Sequence, residues 1–101
     1  MTEGPKMYAD FLREDMRLVL LRLLCEMPAY RANSSVLAGM LHRLGHAPSR
    51  DQVKTELRWL HEQGLLALEE VESVLVATLT ERGQDVAERR AVVPGVARPR
   101  A

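Results

Sequence analysis

With 101 residues, 47% of them hydrophobic, the chain can close one modest core and is too short for two. Fourteen Lys and Arg balance fourteen Asp and Glu, which excludes a molecule drawn as a whole to nucleic acid or anionic lipid; any such attraction must be local. The single cysteine, Cys25, excludes a disulfide-stapled fold, and its place among leucines marks a small buried apolar residue in a reducing compartment. The balance hides an asymmetry: residues 86–101 carry four arginines against one glutamate, leaving a basic tail of +3 on a body of −3.

The N-terminal stretch "MTEGPKMYADFLRED" has no basic region leading into an apolar core and cleavage site. The run "LVLLRLLC" is broken by Arg22 and falls well short of the about 20 residues that a membrane crossing needs. A cytoplasmic chain without membrane association is expected. Leu12, Met16, Val19, Leu20, Leu23, Leu24 and Met27 recur at spacings of three and four, which predicts a helix from about Ala9 to Met27. Phe11, Leu18 and Leu21 widen its apolar stripe, so this helix is either central to the core or partly covered by a second subunit. Pro28 ends it. "AYRAN" leaves room for a brief first strand, and "NSSVLAGMLHRLG" begins the next helix with Asn33, Ser34 or Ser35 as cap and Gly45 after its last turn.

The stretch "SRDQVKTELRWLHEQG" opens with Ser49 and Gln52 at capping-box spacing. Val53, Leu57 and Leu60 face inward, toward Leu20, Leu23, Leu37 and Leu41. A projection at about 100° per residue puts Asp51, Thr55, Arg58 and Glu62 opposite, with Arg50, Lys54 and His61 on one flank and Gln52 and Trp59 on the other. Gly64 stops the helix. "LLALEEVESVLVATLT" reads as a hairpin with strands near 65–69 and 74–79 around the turn "EEVES". Thr80 caps a last helix in "ERGQDVAERRA", and two prolines and a glycine keep "VVPGVARPRA" irregular.

This order defines a mainly α fold with a small β-hairpin, a winged helix-turn-helix. It divides the chain into a flexible N-terminus (1–8), a winged helix domain (9–91) and an extended C-terminal tail (92–101). "HEQGLLALEE", the hairpin and "TLTERGQDVA" resemble bacterial winged helix regulators of the arsenic-repressor-like and multiple-antibiotic-resistance-repressor-like kinds over about residues 16–90. "SRD", "TLTERGQDVA" and "VPGVARP", in that order, are similar to small proteins of Mu-like prophages across nearly the whole chain. The resemblance implies a phage setting more directly than a biochemical role, since fold does not fix function.

Candidate DNA contacts are Arg50, Lys54, Thr55 and Arg58. Arginine pairs with guanine edges, both basic types bind phosphates, and the backbone N–H groups at "SRDQ" open a helix toward an anion. The same face carries Asp51 and Glu62 with Glu56 beside it, as a merely solvated face would. The wing carries Glu69, Glu70 and Glu72 with no lysine or arginine, which would set like charge against phosphates. The arsenic-sensing relatives' cysteine-rich helix is absent, and Cys25, His42, His46 and His61 have no metal-ligand spacing, so neither metal nor cofactor is expected. Ser34, Ser35 and Ser49 are caps rather than nucleophiles, no glycine-rich phosphate loop occurs, and no enzyme is indicated. Trp59 is expected to pack against the hairpin or, as the lesser alternative, to anchor a subunit contact.

Phe11, Leu12 and Leu18 on the first helix, with Val92, Val93 and Val96 in the tail, are candidate residues of a homodimer interface. The reading is a DNA-binding transcriptional regulator of phage or prophage origin, binding double-stranded DNA as a dimer. The alternative is a winged helix used for contacts with a phage or host protein in phage development, without DNA binding.

Overall fold

A long first helix carries the core. The computed structural model describes residues 4–99, in which α1 spans Gly4–Cys25. Met16, Leu18, Leu20, Leu21, Leu23 and Leu24 are all buried, so the C-terminal half of α1 is surrounded by core, as the width of its apolar stripe requires. The helix begins five residues before the predicted start. Met7, Tyr8, Phe11 and Leu12 are exposed, and turns that bury no apolar side chain within the chain give no one-sided pattern to read. It ends two residues earlier than predicted because Pro28 forces Met27 into extended backbone at φ −87°, ψ 149°.

A 3-10 turn at Pro28–Tyr30 leads into β1 (Arg31–Asn33), which realises the brief strand expected in "AYRAN". The side chain of Asn33, rather than of Ser34 or Ser35, caps α2 (Ser34–Arg43), its Oδ1 accepting from the Val36 N–H at 2.8 Å. Ser34 is used differently. β1 stops at Asn33, and the Ser34 hydroxyl accepts from the Leu75 N–H at 3.1 Å, satisfying a buried donor just past the strand's end. Ser49 caps α3 (Arg50–Glu62), accepting from the Gln52 N–H at 3.0 Å. Gly45 and Gly64, at φ 96° and 77°, follow α2 and α3 at the predicted stops.

β2 (Leu66–Val71) and β3 (Val74–Leu79) form the hairpin, and the sheet order is β1-β3-β2 with both pairings antiparallel. The predicted five-residue turn is in fact a two-residue one, Glu72–Ser73, and β2 runs on to Val71. Tight hairpin turns are normally announced by Asn-Gly or a similar pair; here Glu72 occupies the left-handed region at φ 55° without a glycine to signal it. Leu75, Ala77 and Leu79 alternate inward along β3.

Val53, Leu57 and Leu60 of α3 have no exposed surface and join Leu20, Leu23, Leu37 and Leu41 in one cluster. Thr80 caps α4 (Glu81–Ala87): its Oγ1 accepts from the Gly83 N–H at 3.0 Å and donates to the Gly64 carbonyl at 2.8 Å, tying the helix start to the end of α3. α4 packs on α1. It stops before "ERRA" because the chain turns there, with Arg89 at φ 70°. Beyond it, residues 92–99 form no helix or strand, yet Val93 and Val96 are buried and the Ala97 N–H donates to the Glu14 carbonyl at 3.2 Å. The tail is therefore folded back along α1. Among the described residues no helix is long and apolar enough to cross a membrane.

Because Leu57 lies at the centre of this cluster, Leu57→Ala is expected to cost about 2–5 kcal/mol through lost transfer energy and a residual cavity. Chemical denaturation measures it. A difference below about 0.5 kcal/mol would mean that the site collapses without loss or that α3 presents another face to the core.

Candidate nucleic-acid interface

Helix α3 lies with its apolar face on the core, and Asp51, Thr55, Arg58 and Glu62 of its opposite face are exposed. Arg50 is exposed on the flank beside the hairpin. Lys54, on that same flank, does not simply extend into solvent: its Nζ donates to the Ser73 carbonyl in the hairpin turn at 2.7 Å. An ammonium group has three donors, so this bond leaves two that can still face a phosphate. His61 Nδ1 meets the Leu66 carbonyl at 3.0 Å further along, and the Thr55 hydroxyl donates back to the Asp51 carbonyl at 3.0 Å. Arg50, Asp51 and Lys54 line a cleft of about 180 Å³ together with Ser34, Ser35, Ser73 and Val74. The start of α2, the start of α3 and the wing turn thus converge on one small depression.

The other flank of α3 holds an arrangement that the sequence reading did not anticipate. Glu56 is 2% exposed, and its carboxylate accepts from the Arg17 Nε–H of α1 at 2.7 Å, with Arg13 at 3.5 Å from the second oxygen. The Arg17 guanidinium also lies 3.9 Å from the Trp59 ring centroid and donates to the Gly95 carbonyl at 2.9 Å. Trp59 therefore packs against α1 and the tail, not the hairpin. Gly95 sits at φ 99°, and a Cβ there would come within 2.6 Å of the indole. One signal for Glu56 was present. A projection puts it about 40° from Leu60, nearer the core than the outward face, and only its charge argued otherwise. Nothing local pointed to Arg17 as its partner, 39 residues away.

In the wing, Glu69, Glu70 and Glu72 are all exposed. Arg31 of β1 reaches Glu69 at 3.4 Å and offsets part of that charge. The six apolar residues considered for a subunit contact divide into two groups. Leu18, Val93 and Val96 are buried within the chain, which corrects the picture of an uncovered apolar tail: two of its three valines fold onto the chain's own core instead of remaining free for a partner. Phe11, Leu12 and Val92 remain exposed.

The histidines occupy three separate places. His46 Nε2 donates to Asp15 at 2.9 Å, joining the α2–α3 connection to α1, while His42 Nε2 lies 3.2 Å from the Pro48 carbonyl. No group of three His, Cys, Asp or Glu side chains able to hold a metal occurs among the described residues.

A helix-turn-helix whose second helix is capped and outward-facing, followed by a hairpin and a closing helix, defines a winged helix protein. The same fold occurs in a MarR family transcriptional regulator from Streptomyces coelicolor, 23% identical with a TM-score of 0.63 over 73% of this chain and 49% of that one. A second such regulator from that organism, solved in complex with DNA, matches at 22% identity and a TM-score of 0.63 over 86% of this chain and 55% of its own. The chain spans about half the length of these solved structures. In sequence it is 50% identical to gp26 of Escherichia phage Mu over 94 residues, 93% of this chain and 97% of gp26. A Haemophilus influenzae protein is 43% identical over 76 residues, 74% of each chain. The chain belongs to the family of phage Mu gp26, a family of Mu-like winged helix proteins. No family model matches it.

Cys25, near the end of α1, has its thiol pushed above the ordinary value, first by burial and then by the carboxylates of Glu88 and Glu26, with Arg90 opposing. A raised pKa means less thiolate at a given pH. Alkylation by iodoacetamide at pH 8 is expected to run slower than that of free cysteine and to approach it only on unfolding; a faster native rate would show an activated thiol.

Proposed function

We propose that the chain is a DNA-binding transcriptional regulator of phage or prophage origin, cytoplasmic and without catalytic activity, that lays α3 in the major groove. The observation that carries this reading is the outward presentation of Arg58, Thr55 and Arg50 on a helix whose inward side is fully committed to the core. A regulator of the same fold solved in complex with DNA supports it. Arg58 reads a base edge in this scheme, Arg50 and Lys54 bind phosphates, and Thr55 contributes a hydroxyl oxygen. With no net charge on the chain, one copy makes few phosphate contacts, and two copies on a palindrome pool them. The exposed Met7, Tyr8, Phe11 and Leu12 of α1, with Val92, supply the apolar surface for that homodimer.

A second reading is favoured by the wing. Glu70 and Glu72 stand exposed at the hairpin turn, where phosphates would be repelled, and this suits contact with a phage or host protein better than contact with a duplex.

On the first reading, Arg58→Ala weakens a specific site and lowers its preference over other sequences, since a good arginine–guanine pair supplies about 1–3 kcal/mol of discrimination. Lys54→Ala instead weakens all sequences together and flattens the salt slope by about one unit. Changing Glu70 and Glu72 to Gln tightens binding where the wing lies near phosphates and leaves it unaltered where the wing points away. Fluorescence anisotropy on duplexes enriched from a randomised pool reads all three. Absence of any enriched sequence, with no salt-dependent binding even by the neutralised wing at about 50 mM salt, would favour the protein-contact reading.

A further inference from the structure

Helix α3 is fastened on both sides. On the wing flank Lys54 and His61 bond to the carbonyls of Ser73 and Leu66. On the opposite flank Glu56 and Trp59 both meet Arg17, which spends its guanidinium on the carboxylate, the indole face and the Gly95 carbonyl together, while the more exposed Arg13 stands 3.5 Å from the second carboxylate oxygen. The outward face lies between these two attachments. Apolar contacts at Val53, Leu57 and Leu60 are non-directional and tolerate a small roll of the helix about its axis; the polar attachments on the flanks do not.

We propose that Arg17 and the tail segment Val93–Ala97 form a latch that sets the rotation of α3, and with it the direction in which Arg58 and Thr55 point. Arg17 is a positioning residue, acting through Glu56 and Trp59. The tail holds Arg17 in place. Its Gly95 carbonyl accepts one guanidinium N–H, its backbone covers the indole where no Cβ fits, and Val93, Val96 and the Ala97 N–H anchor the segment on either side. Arg17 is held by two hydrogen bonds in different directions and by its stack on the indole, so it has little freedom to follow Glu56 elsewhere. Detaching the tail removes the Gly95 bond from Arg17 and uncovers Trp59, which loosens one flank of α3 while Lys54 and His61 hold the other.

The inference rests on the DNA-binding reading only for its consequence, not for the latch itself, and the experiment separates the two. Gly95→Ala drives a methyl group into the indole and strains the backbone at a positive φ. Trp59 is the chain's one tryptophan, so its emission reports the tail directly. The expected results are a red-shifted Trp59 emission and amide hydrogen exchange about tenfold faster along α3, with α2 and the sheet unaltered. Preference for an enriched duplex over a scrambled one is expected to fall about tenfold at an unchanged salt slope, because aim is lost while charge is kept.

Should Gly95→Ala fail to fold, the same readouts are taken on Arg17→Lys, which keeps a cation beside Glu56 but loses the planar stack and the shared bonds. The latch is overturned if Trp59 is released while exchange along α3 stays as in the unaltered protein, or if Trp59 emission does not move in either variant. Faster α3 exchange with no duplex bound by any form supports the latch and counts against the DNA-binding reading alone.

Discussion

A carboxylate as enclosed as that of Glu56 is costly to leave without a partner, and Arg17, with Arg13 at the second oxygen, supplies one. Taking two charges out of water costs about as much as their attraction returns, so a buried pair of this kind contributes little net stability; losing one partner is what is expensive. Its contribution is geometric. Because Arg17 also stacks on Trp59 and bonds to Gly95, a single planar group fixes the relation of α1, α3 and the tail. Lysine, a point charge on a flexible stem, has no plane with which to do all three.

The parts of the fold legible in the sequence are those encoded locally. Ser49 and Thr80 cap the helices they were expected to cap, Gly45 and Gly64 take positive φ where the helices stop, and the inward set Val53, Leu57 and Leu60 is buried, with Glu56 added to it. Period and capping act within a turn or two of chain, so a single sequence displays them. What was not legible depended on distant partners. Arg17 lies 39 residues from Glu56 and 78 from Gly95, and no window of sequence contains that triad. The tail's prolines and glycine announced irregular backbone correctly but not that Val93 and Val96 would be covered by their own chain. Of the residues proposed to contact DNA, Arg50 and Arg58 were visible as exposed cations, whereas the bond from Lys54 to the wing turn required the hairpin to be built first.

The charge layout follows from the same architecture. Arg50 and Arg58 share α3 with Asp51 and Glu62, so no face of that helix is uniformly positive. A duplex approaching it would meet a mixed surface, with orientation set more by where each group points than by overall field. This places weight on how firmly α3 is held. The Lys54–Ser73 bond further links helix and hairpin, so the acidic turn and α3 are presented together.

The order of the sheet gives the acidic hairpin a role that needs no partner. β3 is paired on both sides, while β2 is an outer strand whose far row of N–H and C=O groups has no neighbouring strand. An outer strand is a template for another chain, and charged side chains are one means of blocking it. A second copy aligned along β2 would meet Glu69 and Glu70, one on each face of the strand, with Glu72 in the turn beyond them, and among the described residues only Glu69 has a cation, Arg31, in ion-pair contact. Acidic side chains along an open edge of this three-stranded sheet disfavour its extension into a ribbon.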